Sequence, residues 1–412
     1  MPTLKNSTGL HIFQGTASQL PDNSRTVAKS RSLAYFSGHR CSSSRLPITS
    51  NPTYPIPASG ADEIGLLRYF RYHLAPWIDV GDPECGFEIH ALLLAKTSRP
   101  LLAAIMALAL THSSLQQNSN AIGVNVTLQQ EAERGLAHAD DPIKSMGQAL
   151  LMLHDFLFSH PRQWRDFLRA RTRGLSTLDF ARTPQGVLNQ PWWLLHSRID
   201  LAAGIISAKA PLMSYRSHPS DTLSSSSERG GQLAVHTLLQ TDFTSRWTSI
   251  WTSCHEWYHT RHVEMRPILD ISGVEADEIN SGNCSSFPIL IYTSALALLA
   301  NTIYHISSFL LLIHKPRLLK TLPGPKRFIS RIWHAQAIAG IATSNEFKEQ
   351  WDPILIASLL TVAPEMTHKS QQSILLNLLG SITTVTGIKL DSEIDDLRCG
   401  WNISQYDEEA VD

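Results

Sequence analysis

The sequence predicts an all-α fold, a large helical bundle or superhelical domain behind a disordered N-terminal arm. Three observations carry this prediction. Long apolar runs after about residue 59 lack the strict alternation of strands. A helix-start signal, an aspartate before a proline at the first helical position, recurs at Asp82-Pro83, Asp141-Pro142 and Asp352-Pro353. No stretch reads as a β-hairpin.

Taken in order, residues 1–58 are rich in Ser, Thr and Pro and carry six Lys/Arg (Lys5, Arg25, Lys29, Arg31, Arg40, Arg45) against one acid, Asp22. Such a segment cannot bury enough apolar surface to offset its ordering entropy and is predicted to be a disordered basic arm. A mitochondrial transit peptide has similar composition, but Pro21, Pro47, Pro52, Pro55 and Pro57 and the missing amphipathic stripe speak against one. No apolar core follows a basic start within Met1–Leu20, so no secretory signal is expected and the sequons at Asn6, Asn125, Asn283 and Asn402 carry no weight.

Residues 59–401 form the predicted helical domain. Each Asp-Pro pair opens an apolar segment, and Leu101 to Leu115 follows Ser98-Arg99-Pro100 in the same manner. Ile374, Leu375, Leu378, Leu379 and Ile382 make a stripe at helical spacing that Gly387 is placed to end. Two breaks interrupt it: a flexible surface linker over 214–231, with Ser224 to Ser227 and Gly230-Gly231, and a loop over 272–286. The unequal spacing of the Asp-Pro starts argues against a solenoid repeat. Residues 402–412 are an acidic tail; from Asp391 onward eight acids face Arg398 alone.

Charge and cysteine content narrow the function classes. With 35 Lys+Arg against 36 Asp+Glu the net charge is −1, so no global basic field is available for nucleic acid or membrane. The five cysteines, Cys41, Cys85, Cys254, Cys284 and Cys399, are scattered and form no C-x-x-C pair, which argues against a disulfide framework or a thiolate zinc site and for a reducing compartment.

Few segments carry recognisable chemistry. Phe287 to Ile313 contains no Asp, Glu, Lys or Arg and precedes a basic stretch, a pattern a membrane span shares. Thr293, Ser294, Asn301, Thr302, His305, Ser307 and Ser308 within it favour a central core helix instead, and no membrane contact is expected. His255-Glu256-Trp257-Tyr258-His259 matches H-E-x-x-H, in which two histidines on one helical face hold zinc and the glutamate activates water. His262 and Glu278 are the candidate further ligands, whereas Met265 stands where the glycine-turn variant needs a histidine. Packing explains more of these residues: Trp247, Trp251, Cys254 and Tyr258 make a buried stripe, with the histidines on its solvated flank. No G-x-S-x-G elbow, Walker loop or G-x-G-x-x-G is found, and no catalytic residue, metal or cofactor is assigned. Arg162, Arg165, Arg169, Arg171 and Arg173 read as a solvated helix face. Lys315-Pro316-Arg317 and Pro325-Lys326-Arg327 resemble a two-part nuclear import signal built on Lys315, Arg317, Lys326 and Arg327, with an ordinary basic loop as the alternative.

Several segments, in order, resemble the fungal-specific transcription factor domain, the regulatory region of fungal zinc-cluster activators. They are Leu67-Arg68-Tyr69-Phe70 with Leu74-Ala75-Pro76-Trp77 and Phe87; Pro191-Trp192-Trp193; Trp257-Tyr258 followed by Arg266-Pro267-Ile268; Leu310 to Pro316; and Gly400-Trp401 after the closing helix. The resemblance spans roughly 65–401. It implies an all-helical body, a nuclear location and control of RNA polymerase II genes, often of a metabolic or biosynthetic pathway. It also implies that the segment around Trp257-Tyr258 has no metal role. Such regulators bind DNA through an N-terminal block of six cysteines, and Cys41 is the sole cysteine ahead of the helical region. Direct sequence-specific DNA binding by this chain is therefore not expected. The expected protein is a non-enzymatic transcription regulator that contacts transcription-related proteins or senses a small molecule, its DNA targeting supplied by a partner or by an N-terminal module missing from this chain. The alternatives are a zinc-dependent hydrolase using His255, His259 and Glu256, and a membrane-anchored helical protein.

Overall fold

Residues 101–109 carry no polar side chain, so a helix through them has no face to offer water. In the computed structural model every one of these nine is 2% exposed or less. The structure describes residues 61–82, 84–117, 122–171, 190–212, 232–271, 287–320, 322, 325–347 and 351–403. The predicted arm 1–58, the linker 214–231, the loop 272–286 and the tail beyond Ile403 lie outside them.

The described residues are all-α but for one short ribbon, as the sequence predicts. The helices are α1 (Ala61–Tyr69), α2 (Ala75–Ile78), α3 (Leu92–Ala95), α4 (Arg99–Gln117), α5 (Ile122–Leu136), α6 (Asp141–Phe158), α7 (Trp164–Arg171), α8 (Pro191–Ser207), α9 (Gln232–Thr260), α10 (Ala295–Ile313), α11 (Arg331–Thr343), α12 (Pro353–Val362), α13 (Lys369–Thr386) and α14 (Asp391–Gly400). Two segments, Phe70–Leu74 and Gly86–Ala91, are π-helical. Helix α4 is the hub for α1, α5 and α6; α12, apolar on almost every side, is the hub for α8, α10 and α11. Helix α8 also packs on α6 and α7, which joins the two hubs in one core within the unit Thr53–Asp412.

The helix starts test the capping argument residue by residue. At Asp352-Pro353 it holds: the carboxylate accepts from the Ile354 N–H at 2.8 Å and α12 begins at Pro353. One position shifts at Asp141-Pro142, where Asp140 occupies the cap and Asp141 is the first helical residue. At Asp82 the expectation fails, because helical geometry resumes only at Gly86. There the carboxylate accepts from the N–H groups of Glu84 (3.0 Å) and Gly86 (2.8 Å), holding a turn instead of opening a helix. Gly387, at φ 73°, ends α13 as predicted, in the left-handed conformation that favours glycine.

The apolar run 287–313 is not one helix. Ile289–Ile291 (β2) pairs antiparallel with Leu269–Ile271 (β1), Asp270 opposite Leu290. Asn345 completes this ribbon, its amide nitrogen donating to the Leu290 carbonyl (2.7 Å) and its oxygen accepting from the Tyr292 N–H (2.9 Å). Gly340 lets α11 approach, since a Cβ there would lie 2.2 Å from the Pro288 carbonyl oxygen. Helix α10 starts only at Ala295, where Ser294 accepts from the Ala297 N–H. By length and mean hydropathy (1.8) α10 passes for a membrane span, but 56% of that window is buried by its neighbours. Asn301, Thr302 and Ser308 are fully enclosed, with Asn301 donating to the Met265 carbonyl at 2.7 Å, so α10 packs here as a core helix.

Candidate functional site

His255-Glu256-Trp257-Tyr258-His259 lies on α9, so the two histidines do share a helical face. Trp247 and Trp251 are buried and stacked at 5.2 Å, as the predicted stripe requires, and the Trp247 indole N–H donates to the Leu311 carbonyl at 2.9 Å. His255 departs from its predicted solvated position. Its Nδ1 donates to the Trp251 carbonyl at 3.0 Å, its ring lies 4.1 Å from the Trp251 ring, and its buried Nε2 faces no hydrogen-bond partner. Burial holds its pKa below the usual imidazole range. His259 and Glu256 are exposed, and His262 uses its Nδ1 to accept from the Glu264 N–H. Among the described residues no three His, Cys, Asp or Glu side chains gather as a metal site, and Glu278 lies outside those residues. Metal analysis of the purified chain is expected to return less than stoichiometric zinc. Stoichiometric zinc that vanishes in His255→Ala would overturn this and restore the hydrolase.

Behind His255 lies a second, fully enclosed pair. The network sets its tautomers: His334 Nε2 donates to the Phe328 carbonyl (3.0 Å), so His334 Nδ1 accepts from His305 Nδ1 (3.0 Å). Tyr304 stacks on Tyr258 at 4.3 Å, and the Arg261 guanidinium sits 3.6 Å above the Tyr258 ring. This box anchors the basic segment through Phe328, which is buried. Around that anchor Arg317, Lys326 and Arg327 are exposed and Lys315 is half-buried; Arg327 lies over the rings of Phe328 and Trp333. The four import-signal residues thus lie between α10 and α11, three of them exposed.

The arginine run is largely solvated, as predicted, with Arg162, Arg169 and Arg171 exposed, and it also carries surface pairs. Arg162 pairs with Asp396, Arg165 donates to the Ala210 carbonyl (2.6 Å), and Arg171 reaches Asp155 (2.5 Å) and Glu133 (3.1 Å). Arg165 and Arg171 tie α7, and Arg162 the turn before it, to neighbouring elements; Arg173 lies outside the described residues.

Among the described residues, two open concavities stand out. One, of about 550 Å³, lies between the end of α11 and α13, with Phe347, Trp351, Ile374 and Leu378 in its wall. The other, of about 450 Å³, runs between the α1 end and α3 and is bounded by both π-helical segments. Its apolar lining is Leu67, Tyr72, Ile89, Leu92 and Leu93; its charged rim is Arg68, Arg71, Lys96 and Glu88. Beneath it, Asp79 accepts from the N–H groups of Phe87 (3.0 Å) and Glu88 (2.7 Å), fixing the second π segment. Burial pushes the Asp79 carboxyl up to about 7, opposed by the Phe87 N–H bond and the Arg198 charge. Sequence reasoning missed this groove, because a 3.6-residue period misplaces side chains that follow a π-helical turn. The usable signal was Tyr72, Ile89 and Leu93, large apolar residues among charged neighbours.

Compared with family models, curated proteins and solved structures, the chain gives no match.

Proposed function

We propose that this chain is a nuclear transcription regulator whose helical body works by protein contact, with DNA targeting supplied by a partner or an N-terminal module. The carrying observation is the ordered set of segments that resemble the fungal-specific transcription factor domain, together with the predominantly helical structure of the described residues. Support also comes from where the polar chemistry lies. His255, His305 and His334 serve packing, and the arginine run serves intramolecular pairs. A surface groove with an apolar lining and a charged rim suits recognition of another protein.

A tagged full-length chain is expected in the nucleus, with chromatin occupancy at RNA polymerase II promoters. Replacing Lys315, Arg317, Lys326 and Arg327 together by alanine is expected to shift it to the cytosol without unfolding it. Cytosolic or membrane-bound protein with no chromatin association would refute the proposal.

A further inference from the structure

We infer that the groove between α1 and α3 is the docking site for an amphipathic helix of a partner protein, one that carries Asp or Glu beside its apolar ladder. This deepens the protein-contact part of the proposed function and rests on it for the class of partner.

The lining argues for an occupant. Tyr72, Ile89 and Leu93 are 66%, 44% and 53% exposed and meet across one concavity. Apolar residues scattered singly over a surface are ordinary, whereas three large ones gathered in one concavity under a charged rim offer seats for a partner's side chains. At about 450 Å³ the groove takes a few side chains and no folded body. That fits a helix presenting anchors at i, i+3 or i+4, and i+7. Both walls are helical and offer no sheet edge, so an added strand has no template there. The π-helical turns on the two walls are a geometry frequent at functional sites.

Charge selects the partner. Arg71 is paired with Glu88, whereas the side chains of Arg68 and Lys96 make no ion pair among the described residues. The rim is therefore net cationic with two charges free, and it attracts carboxylates while repelling a basic segment such as residues 1–58 of this chain.

The test is a displayed library of helical peptides, a fixed leucine ladder with randomised flanking charges, selected on the full-length chain. Acidic peptides are expected to win, and their affinity by fluorescence anisotropy to fall roughly tenfold with Arg68→Glu/Lys96→Glu and with Leu93→Glu. Val385→Glu, at an exposed position in the other concavity, is expected to leave binding unchanged. Circular dichroism checks that each variant stays folded. Neutral or basic winners, no enrichment, or binding indifferent to the rim variants would overturn the inference. Winners obtained only on a chain truncated after Ile403 would assign the groove to this chain's own acidic end and equally overturn it. The selection does not depend on chromatin, so it and the occupancy measurement can fail separately.

Discussion

Replacing Arg198 with methionine is expected to cost the fold about 3–5 kcal/mol, a large share of the stability of an ordinary domain. Arg198 projects from α8 to the start of α12 and the end of α2. Its Nη1 donates to Asp352 Oδ2 at 2.7 Å and its Nη2 to the Ile78 carbonyl. Side-chain exposure is 11% for the arginine and 2% for the aspartate, so solvent screens this pair little. Asp352 also caps α12, and next to it the Trp77 indole N–H donates to the Trp351 carbonyl at 3.0 Å. Truncating Arg198 therefore strands a buried carboxylate, leaves the Ile78 carbonyl without this donor, and removes the positive charge that opposes the high pKa of Asp79.

The double variant Arg198→Met/Asp352→Asn separates these costs. Asparagine keeps the cap through its amide oxygen and carries no charge, so more than half of the lost stability is expected to return. Urea melts of the single and double variants measure both. A single variant losing less than about 1 kcal/mol would show that the arginine is not the tie between α8, α12 and the end of α2.

Much of this frame was legible, because its signals are local. Asp352 before Pro353, Gly387 after an apolar stripe, and the segment Leu101 to Leu115 behind Ser98-Arg99-Pro100 each report on a few neighbouring residues, and the structure places all three as expected. What stayed hidden depends on distant partners. Arg198 and Asp352 are 154 residues apart, and nothing in either neighbourhood marks a pair. The arginine run is solvated as it reads, but the carboxylates that pair with Arg162 and Arg171 come from α5, α6 and α14 and leave no local trace. Ile289-Leu290-Ile291 continues into a helical run, and only Asn345 and β1 make it a strand. His255 reads as part of a solvated flank, although its i, i+4 spacing from Trp251 puts it on the buried face, and Tyr304 and Phe328, from elements far along the chain, lie against its ring. The candidate site suffers most from this limit, since a groove is a relation between elements and leaves no periodic trace in either one.

Acidification from pH 6.5 to 4 is expected to unfold the chain cooperatively. His112, His196 and His334 are buried, and burial lowers each to about 4 from the ordinary value of 6.5. His305, enclosed against His334, is likewise lowered well below the ordinary value by burial. Between pH 6.5 and 4 the unfolded chain binds a proton at each site that the folded chain refuses, so stability falls as pH falls through that window. Each histidine lowered to about 4 forfeits roughly 3 kcal/mol on the descent. Asp79 works in the opposite sense. Its folded value, raised to about 7, lets the native state hold a proton that the unfolded carboxyl releases, so its contribution is complete below pH 3.8 and is lost as pH rises through 7. It offsets one histidine and leaves a net loss of roughly 6 kcal/mol before His305 is added, comparable to the whole stability of a typical domain. Thermal melts at half-unit pH steps read this directly. A melting temperature unchanged down to pH 4 would refute it. His196→Leu, which removes a buried imidazole with no proton to take, is expected to move the midpoint of acid unfolding downward, and a midpoint that stays put would remove His196 from the account.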